Sequence, residues 1–136
     1  MVKKAISKSY HSVSYTKFIK VAENFQNAAD LALEFDYFNA AGVLFIHSAI
    51  AYADAITVKF ASKKSSGDNH YMVINLIEEV LPPIKIDKKA FNNFKLLIDH
   101  KNSISYSGDI YNQKDVEKIK NYFLKFSFWA KNILNP

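Results

Sequence analysis

Lys101, Asn102 and Tyr106 are the polar residues whose types and spacing most suggest chemistry. At about 100° per residue along 91–106, Phe91, Phe94, Leu97 and Ile98 centre an apolar stripe, and Lys101 falls within about 30° of that centre. A lysine on an inward face must snorkel, pair with a carboxylate or line a groove. Asn102 lies on the flank of the same stripe, and Tyr106 is its i+4 neighbour. The three cluster at the C-terminal end of one helix, where they could line a groove. Alternatively the helix frays near Ser103, Lys101 snorkels to solvent, and Tyr106 is a core or capping aromatic.

His47 and Asp54 are seven residues apart and so share a face of another helix, separated by a rise of about 10.5 Å. Both can face one groove without touching, and Asp54 is the natural counter-ion for an inward Lys101. The blander readings are a hydrogen-bonded core histidine and a structural salt bridge. His70 either ends a helix or stands beside the Lys101 cluster. Other chemistries lack their residues. The three glycines are isolated, so no phosphate loop is present. No His-Glu-x-x-His, Glu-x-x-His or Gly-x-Ser-x-Gly occurs. No Cys is present, which excludes disulfides, zinc–thiolate sites and cysteine nucleophiles. Neither a cofactor nor a metal is expected.

These residues are positioned by an all-α pattern. The stretch Ala40–Lys59 is apolar on nearly every side and reads as a buried central helix. It contains an Asp and a His and has no run of 18 apolar residues, so it does not read as a membrane span. Before it, Phe18, Val21, Phe25, Ala28, Ala32 and Phe35 recur at 3-4-3-4-3 spacing on a helix capped by Ser14 or Thr16. A break at 36–39 separates the two helices. The polar stretch 62–69, with Gly67, reads as a loop.

Asp68 or Asn69 then caps a short third helix, with His70, Val73, Ile74, Ile77, Val80 and Leu81 inward, and Pro82-Pro83 ends it. Asp87 caps the fourth helix, and 107–109 stop it. Asn112 with Asp115 forms a capping box for a fifth, which carries Val116, Ile119, Phe123, Phe126, Ala130 and Ile133. Residues 1–14 show no period and read as a loose arm. The expected fold is a single domain over 15–136, an antiparallel up-down bundle of four long helices and one short one.

The chain has 136 residues and is 49% hydrophobic and 15% aromatic, enough for one core without staples. Its N-terminus lacks the apolar segment of a secretory signal, so a cytoplasmic location is expected. The net charge of +5 mildly favours a polyanionic partner. All 18 positive side chains are Lys, and the absence of Arg weakens bidentate phosphate or base recognition. The run Tyr122, Phe123, Phe126, Phe128 and Trp129 holds more aromatics than one stripe buries, which suggests a dimer face.

Several of these stretches occur in the order of a known family. A long helix is followed by a small-residue helix ending in Tyr-Ala-Asp-Ala (52–55), then a polar loop leading into His70. Next come Leu-Leu-Ile-Asp-His-Lys-Asn-Ser-Ile-Ser-Tyr-Ser-Gly (96–108) and a final amphipathic helix with an acidic start. The chain thereby resembles the HEPN superfamily of helical-bundle domains from about Lys17 to Leu134. The resemblance implies a homodimer, RNA or nucleotide as ligand, and a toxin–antitoxin setting with a nucleotidyltransferase-type partner protein. Many family members are metal-independent RNases in which two Arg-x4–6-His motifs, with a polar residue after the Arg, meet in one cleft. The matching positions here are Lys101, Asn102 and Tyr106, so Lys stands for Arg and Tyr for His. A phenol with an ordinary pKa near 10 is a poor general base for a 2′-hydroxyl. His100 projects about 100° away from Lys101 on a helix and is not an obvious substitute.

Three readings follow. One is a HEPN-like nucleotide-, RNA- or partner-binding module without catalysis. The second is a metal-independent RNase using Lys101, Asn102 and Tyr106, with His70 or His100 carrying the proton. The third is a purely structural, oligomerising helical bundle.

Overall fold

A helix that is apolar all round is stable only when other helices sheath it. The computed structural model, which describes residues 7–65 and 70–135, is built on that requirement. Its helices are α1 (Tyr15–Glu34), α2 (Phe38–Ala61), α3 (Tyr71–Val80), α4 (Lys88–Tyr106) and α5 (Gln113–Leu134). The fold is an all-α bundle with α2 at its centre, and every residue from Ala51 to Val58 is buried. By length and composition α2 is apolar enough to cross a membrane, but 78% of its most apolar window is buried inside the bundle.

Side-chain pairs give the helix directions. Ser48 of α2 meets Ala22 of α1, and Lys59 stacks on the Tyr15 ring, so α1 and α2 are antiparallel. Phe91 meets Trp129 and Phe94 meets Phe126, so α4 and α5 are antiparallel as well. Phe45 and Tyr52 both meet Phe123, and the Lys59 amine donates to the Leu134 carbonyl, so α5 runs parallel to α2. The four long helices therefore alternate in direction along the chain, with the short α3 inserted between α2 and α4.

Small residues set the closest contact. Ala22 and Ala29 of α1 are fully buried, and the Ser48 hydroxyl donates 2.6 Å to the Ala22 carbonyl. The buried stripe of α1 is thus turned from the expected one. Phe18 and Ala32 pack against the core and Phe25 against the His47 ring, whereas Val21, Ala28 and Phe35 are exposed. The alanines win the interface because they let two backbones approach, which bulkier Val21 and Phe35 would prevent. Helix α1 ends in a Schellman motif, with Asp36 at φ 63, the Tyr37 amide on the Ala32 carbonyl and the Asp36 amide on that of Leu33.

The N-terminal segment also departs from expectation. Residues 1–6 lie outside the described residues, but 7–14 are not a loose arm. A strand β1 (Ser7–Ser9) pairs antiparallel with β2 (Lys63–Ser65), and a 3-10 turn at 12–14 runs straight into α1. The Tyr10 amide donates 2.7 Å to the carbonyl of Ser62, the left-handed residue that ends α2. Ser14 makes no side-chain cap, and the Thr16 hydroxyl donates to Val13 instead. Gly67 and the expected caps Asp68 and Asn69 lie outside the described residues.

Elsewhere the local signals operate as expected. Asp87 accepts from the amides of Lys89 and Ala90, and Asn112 with Asp115 forms the full capping box. Val73, Ile74 and Ile77 of α3 and Leu81 just past its end are buried, joined by Leu76. Of the aromatic run in α5, only Phe128 stands out, at 72% exposed; Phe123, Phe126 and Trp129 are core.

Candidate functional site

Past its first turn, α2 is incompletely buried only at Val43, Leu44, His47 and Ile50 before Lys59. These positions form one stripe at 3-4 spacing. The cause is the shortness of α3. Its first residue, Tyr71, bonds through its hydroxyl to Asp99 of α4, so α3 starts at that level and covers α2 only on one side of it. Beyond it, α1 and α4 flank this stripe, which forms a half-buried shelf. The Phe25 ring of α1 lies 5.9 Å from the His47 ring. From the other side, Lys101 of α4 acts on His47 by its charge.

Lys101 is half-buried, as its place on the inward stripe of α4 requires. The described residues form two ion pairs, Lys64–Asp54 and Lys120–Asp30, and neither involves Lys101. Burial, aided by the Lys101 charge, lowers the pKa of His47 below 6.5. At neutral pH the shelf therefore holds a cation and a neutral imidazole, which can both donate and accept a hydrogen bond.

The other predicted site residues are distributed as follows. Asn102 is exposed on the rim, and Tyr106, the last residue of α4, is 79% exposed. Asp54 is not brought to Lys101. It lies further along the same stripe under β2, and its carboxylate pairs with Lys64 at 3.5 Å. Burial outweighs that pairing and pushes the Asp54 carboxyl up from 3.8 to about 6. His70 is the half-buried N-cap residue of α3, without a side-chain cap bond to that helix. His100 is committed elsewhere: its Nδ1 lies 2.8 Å from the Tyr111 hydroxyl, and the two rings pack edge to face.

Two residues matter that sequence reasoning missed. Asn39, in the first turn of α2, donates to the carbonyls of Ile104 and Asp109 and accepts from the Tyr111 amide. It fastens the α4–α5 loop to α2 and so fixes the end of α4 that carries Lys101. Gly42, one turn on, admits the Ile104 side chain, whose Cδ1 would be 2.2 Å from a Cβ there. A lone Asn after a helix break resembles any cap, so its sequence carried no signal of a long-range role.

Among the described residues, no group of three His, Asp or Glu side chains is arranged to hold a metal. A cleft of about 770 Å³ between α4 and α5, lined by Lys89, Ala90, Leu124, Lys125 and Phe128 among others, contains none of the predicted site residues. The structure is an all-α bundle with this half-buried shelf on its central helix. Compared with family models, with curated proteins and with solved structures, the chain has no match.

Proposed function

We propose that this chain is a HEPN-like helical domain that binds RNA or a nucleotide without cleaving it. The phosphate is held on the shelf at Lys101. One observation carries the reading: Lys101 is a half-buried cation without a carboxylate partner, beside an imidazole held neutral. A cation in that position gains most from an anion supplied by a ligand, since its solvation is already reduced. His47 can donate to a phosphate oxygen, and Asn102 on the rim can add an amide. A toxin–antitoxin setting, with a nucleotidyltransferase-type protein as partner, is the physiological context this reading favours, in the cytoplasm.

Binding of labelled single-stranded RNA, followed by anisotropy across a salt series, tests the reading. Lys101→Ala is expected to weaken binding about tenfold and to lower the salt slope by about 0.7. Lys88→Ala, at an exposed site outside the shelf, is the control. Binding that survives Lys101→Ala unchanged overturns the assignment.

A second reading is favoured by the neutrality of His47. A neutral imidazole beside a cation can take the proton of a 2′-hydroxyl as it attacks the adjacent phosphodiester and return it to the departing 5′-oxygen, leaving a 2′,3′-cyclic phosphate and a free 5′-hydroxyl. Under this reading the chain is a metal-independent endoribonuclease. Cleavage in EDTA that disappears in both His47→Ala and Lys101→Ala would move it to first place. Tyr106→Phe, at the exposed helix end, is expected to change nothing.

A further inference from the structure

Tyr52 of α2 buries a hydroxyl that the fold does not use. The residue is 1% exposed, and its hydroxyl has no hydrogen-bond partner among the described residues. One other buried side-chain oxygen there lacks a hydrogen bond, Asp30 Oδ1, but it lies 3.0 Å from the Lys120 amine. The Tyr52 ring itself is held by packing, with the Phe123 ring at 6.4 Å and the Lys131 amine 5.6 Å from its centre. A phenylalanine would fill the same place without desolvating a hydroxyl. Packing thus accounts for the ring and leaves the hydroxyl unexplained.

Tyr52 lines a pocket of about 230 Å³ between α1, α2 and the last turn of α5. It stands five residues after His47 and so is turned about 140° from it around α2, which separates this pocket from the Lys101 shelf. Glu23 of α1 and Lys131 of α5 bring opposite charges to the pocket. Both are exposed, and neither belongs to an ion pair among the described residues. Burial, aided by the Glu23 charge, raises the Tyr52 pKa above 10, so the hydroxyl stays protonated at neutral pH and can donate. Ile19 and Leu134 supply an apolar wall, and Asn132 an exposed amide at the rim. We propose that this pocket binds a small α-amino acid with an apolar side chain, in its zwitterionic form.

Each group has a use in that arrangement. The ligand's ammonium meets the Glu23 carboxylate, and its carboxylate meets the Lys131 amine. Because Lys131 lies over the Tyr52 ring, a carboxylate bound to it is brought to the phenol, which donates the hydrogen bond it otherwise lacks. The side chain lies against Ile19 and Leu134. The Leu134 carbonyl does not compete for the ammonium, since it already accepts from the Lys59 amine. The two charges of the pocket cancel, which favours a ligand that is neutral overall. A phosphate would meet Glu23 as a like charge, and a simple amine would leave Lys131 unused. Pockets for drug-sized ligands measure about 300–1,000 Å³, so about 230 Å³ suits a molecule smaller than a nucleotide. The cleft beside Phe128 is larger, but none of the residues lining it is a buried polar group without a partner.

Titration of L-valine, L-leucine and L-methionine into the isotope-labelled full chain, followed by amide NMR, tests the proposal. At least one of the three should give saturable shifts at millimolar concentrations or below, centred on Glu23, Tyr52 and Lys131. Tyr52→Phe removes a hydroxyl that bonds to nothing in the fold, so its circular-dichroism melt should be unchanged or raised. It should nevertheless weaken binding about tenfold, and the exposed-site variants Glu23→Gln and Lys131→Gln should each do the same. The amide of the bound amino acid, which lacks the carboxylate, and the deaminated acid, which lacks the ammonium, should bind about tenfold more weakly than the parent. Tyr52→Phe should leave RNA binding at the Lys101 shelf unchanged, so the two sites fail or stand separately. The absence of saturable shifts with all three amino acids at millimolar concentrations overturns the proposal. So does binding that Tyr52→Phe leaves intact, or an amide that binds as tightly as its parent.

Discussion

The same stripe of α2 carries His47 at one end and Asp54 two turns on, and the two ends are finished differently. At the Asp54 end the β1–β2 ladder lies over the helix and delivers Lys64 to the carboxylate, with the Lys64 amine also 5.8 Å from the centre of the Phe18 ring. At the His47 end α3 has not yet begun, and Lys101 faces the shelf without a counter-ion. One cation completes the core, and the other is left uncompensated. An inward lysine is therefore not by itself a sign of function; the absence of its partner is what singles Lys101 out.

The largest expected effect comes from loosening the frame of the open end. Asn39→Ala removes three hydrogen bonds and leaves the Ile104 carbonyl and the Tyr111 amide half-buried without it. It should cost about 2–3 kcal/mol in chemical denaturation. Amide exchange should quicken around 104–111 and stay unchanged at β1 and β2. An equal increase at both ends would mean that the two ends are not independent units.

The next effect separates the ends by pH. Burial raises Asp54 above its ordinary 3.8 to about 6, so the folded chain binds that proton more tightly than the unfolded chain does. Ionised Asp54 therefore subtracts stability above about pH 6, and stability returns as pH falls from there toward 3.8. His47 has the opposite sign. Its folded pKa is lowered, so its share of stability is present above 6.5 and is lost as pH falls below that value. Lys64→Met removes the charge that holds Asp54 down. It should cost about 1–2 kcal/mol near pH 8 and much less near pH 5, where Asp54 is protonated in both proteins. A cost independent of pH would show that Lys64 acts through packing on Phe18 rather than through its charge.

How much of this contrast could be read in advance differs between its parts. The central helix, the Asp87 cap, the Asn112–Asp115 box and the inward position of Lys101 follow from periodicity and local capping chemistry, and the structure contains each of them. Three features escaped because their causes are not local. The α1 stripe is decided by which residues let α1 approach Ser48, so Ala22 and Ala29 displace the more hydrophobic Val21. The β ladder is built from Ser and Lys and has no strand signature; it is held by its partner strand and by the Tyr10–Ser62 bond. The Asp54 counter-ion was expected to be Lys101, but helix periodicity assigns a side chain to a face without saying which neighbour covers it at each level.

The smallest expected effect is the sharpest test of the difference between the two lysines, because it uses one substitution at both. Lys101→Met keeps an unbranched side chain of similar length on the α4 stripe and removes a charge that has no partner. No ion pair is lost, so Lys101→Met should leave stability unchanged to within about 0.5 kcal/mol. Lys64→Met, the same chemical change, should destabilise it near pH 8. Measured side by side by denaturant unfolding, only the Lys64 variant should then shift, and only the Lys101 variant should lose RNA binding. If Lys101→Met destabilised as Lys64→Met does, the Lys101 amine would be making a compensating contact within the fold.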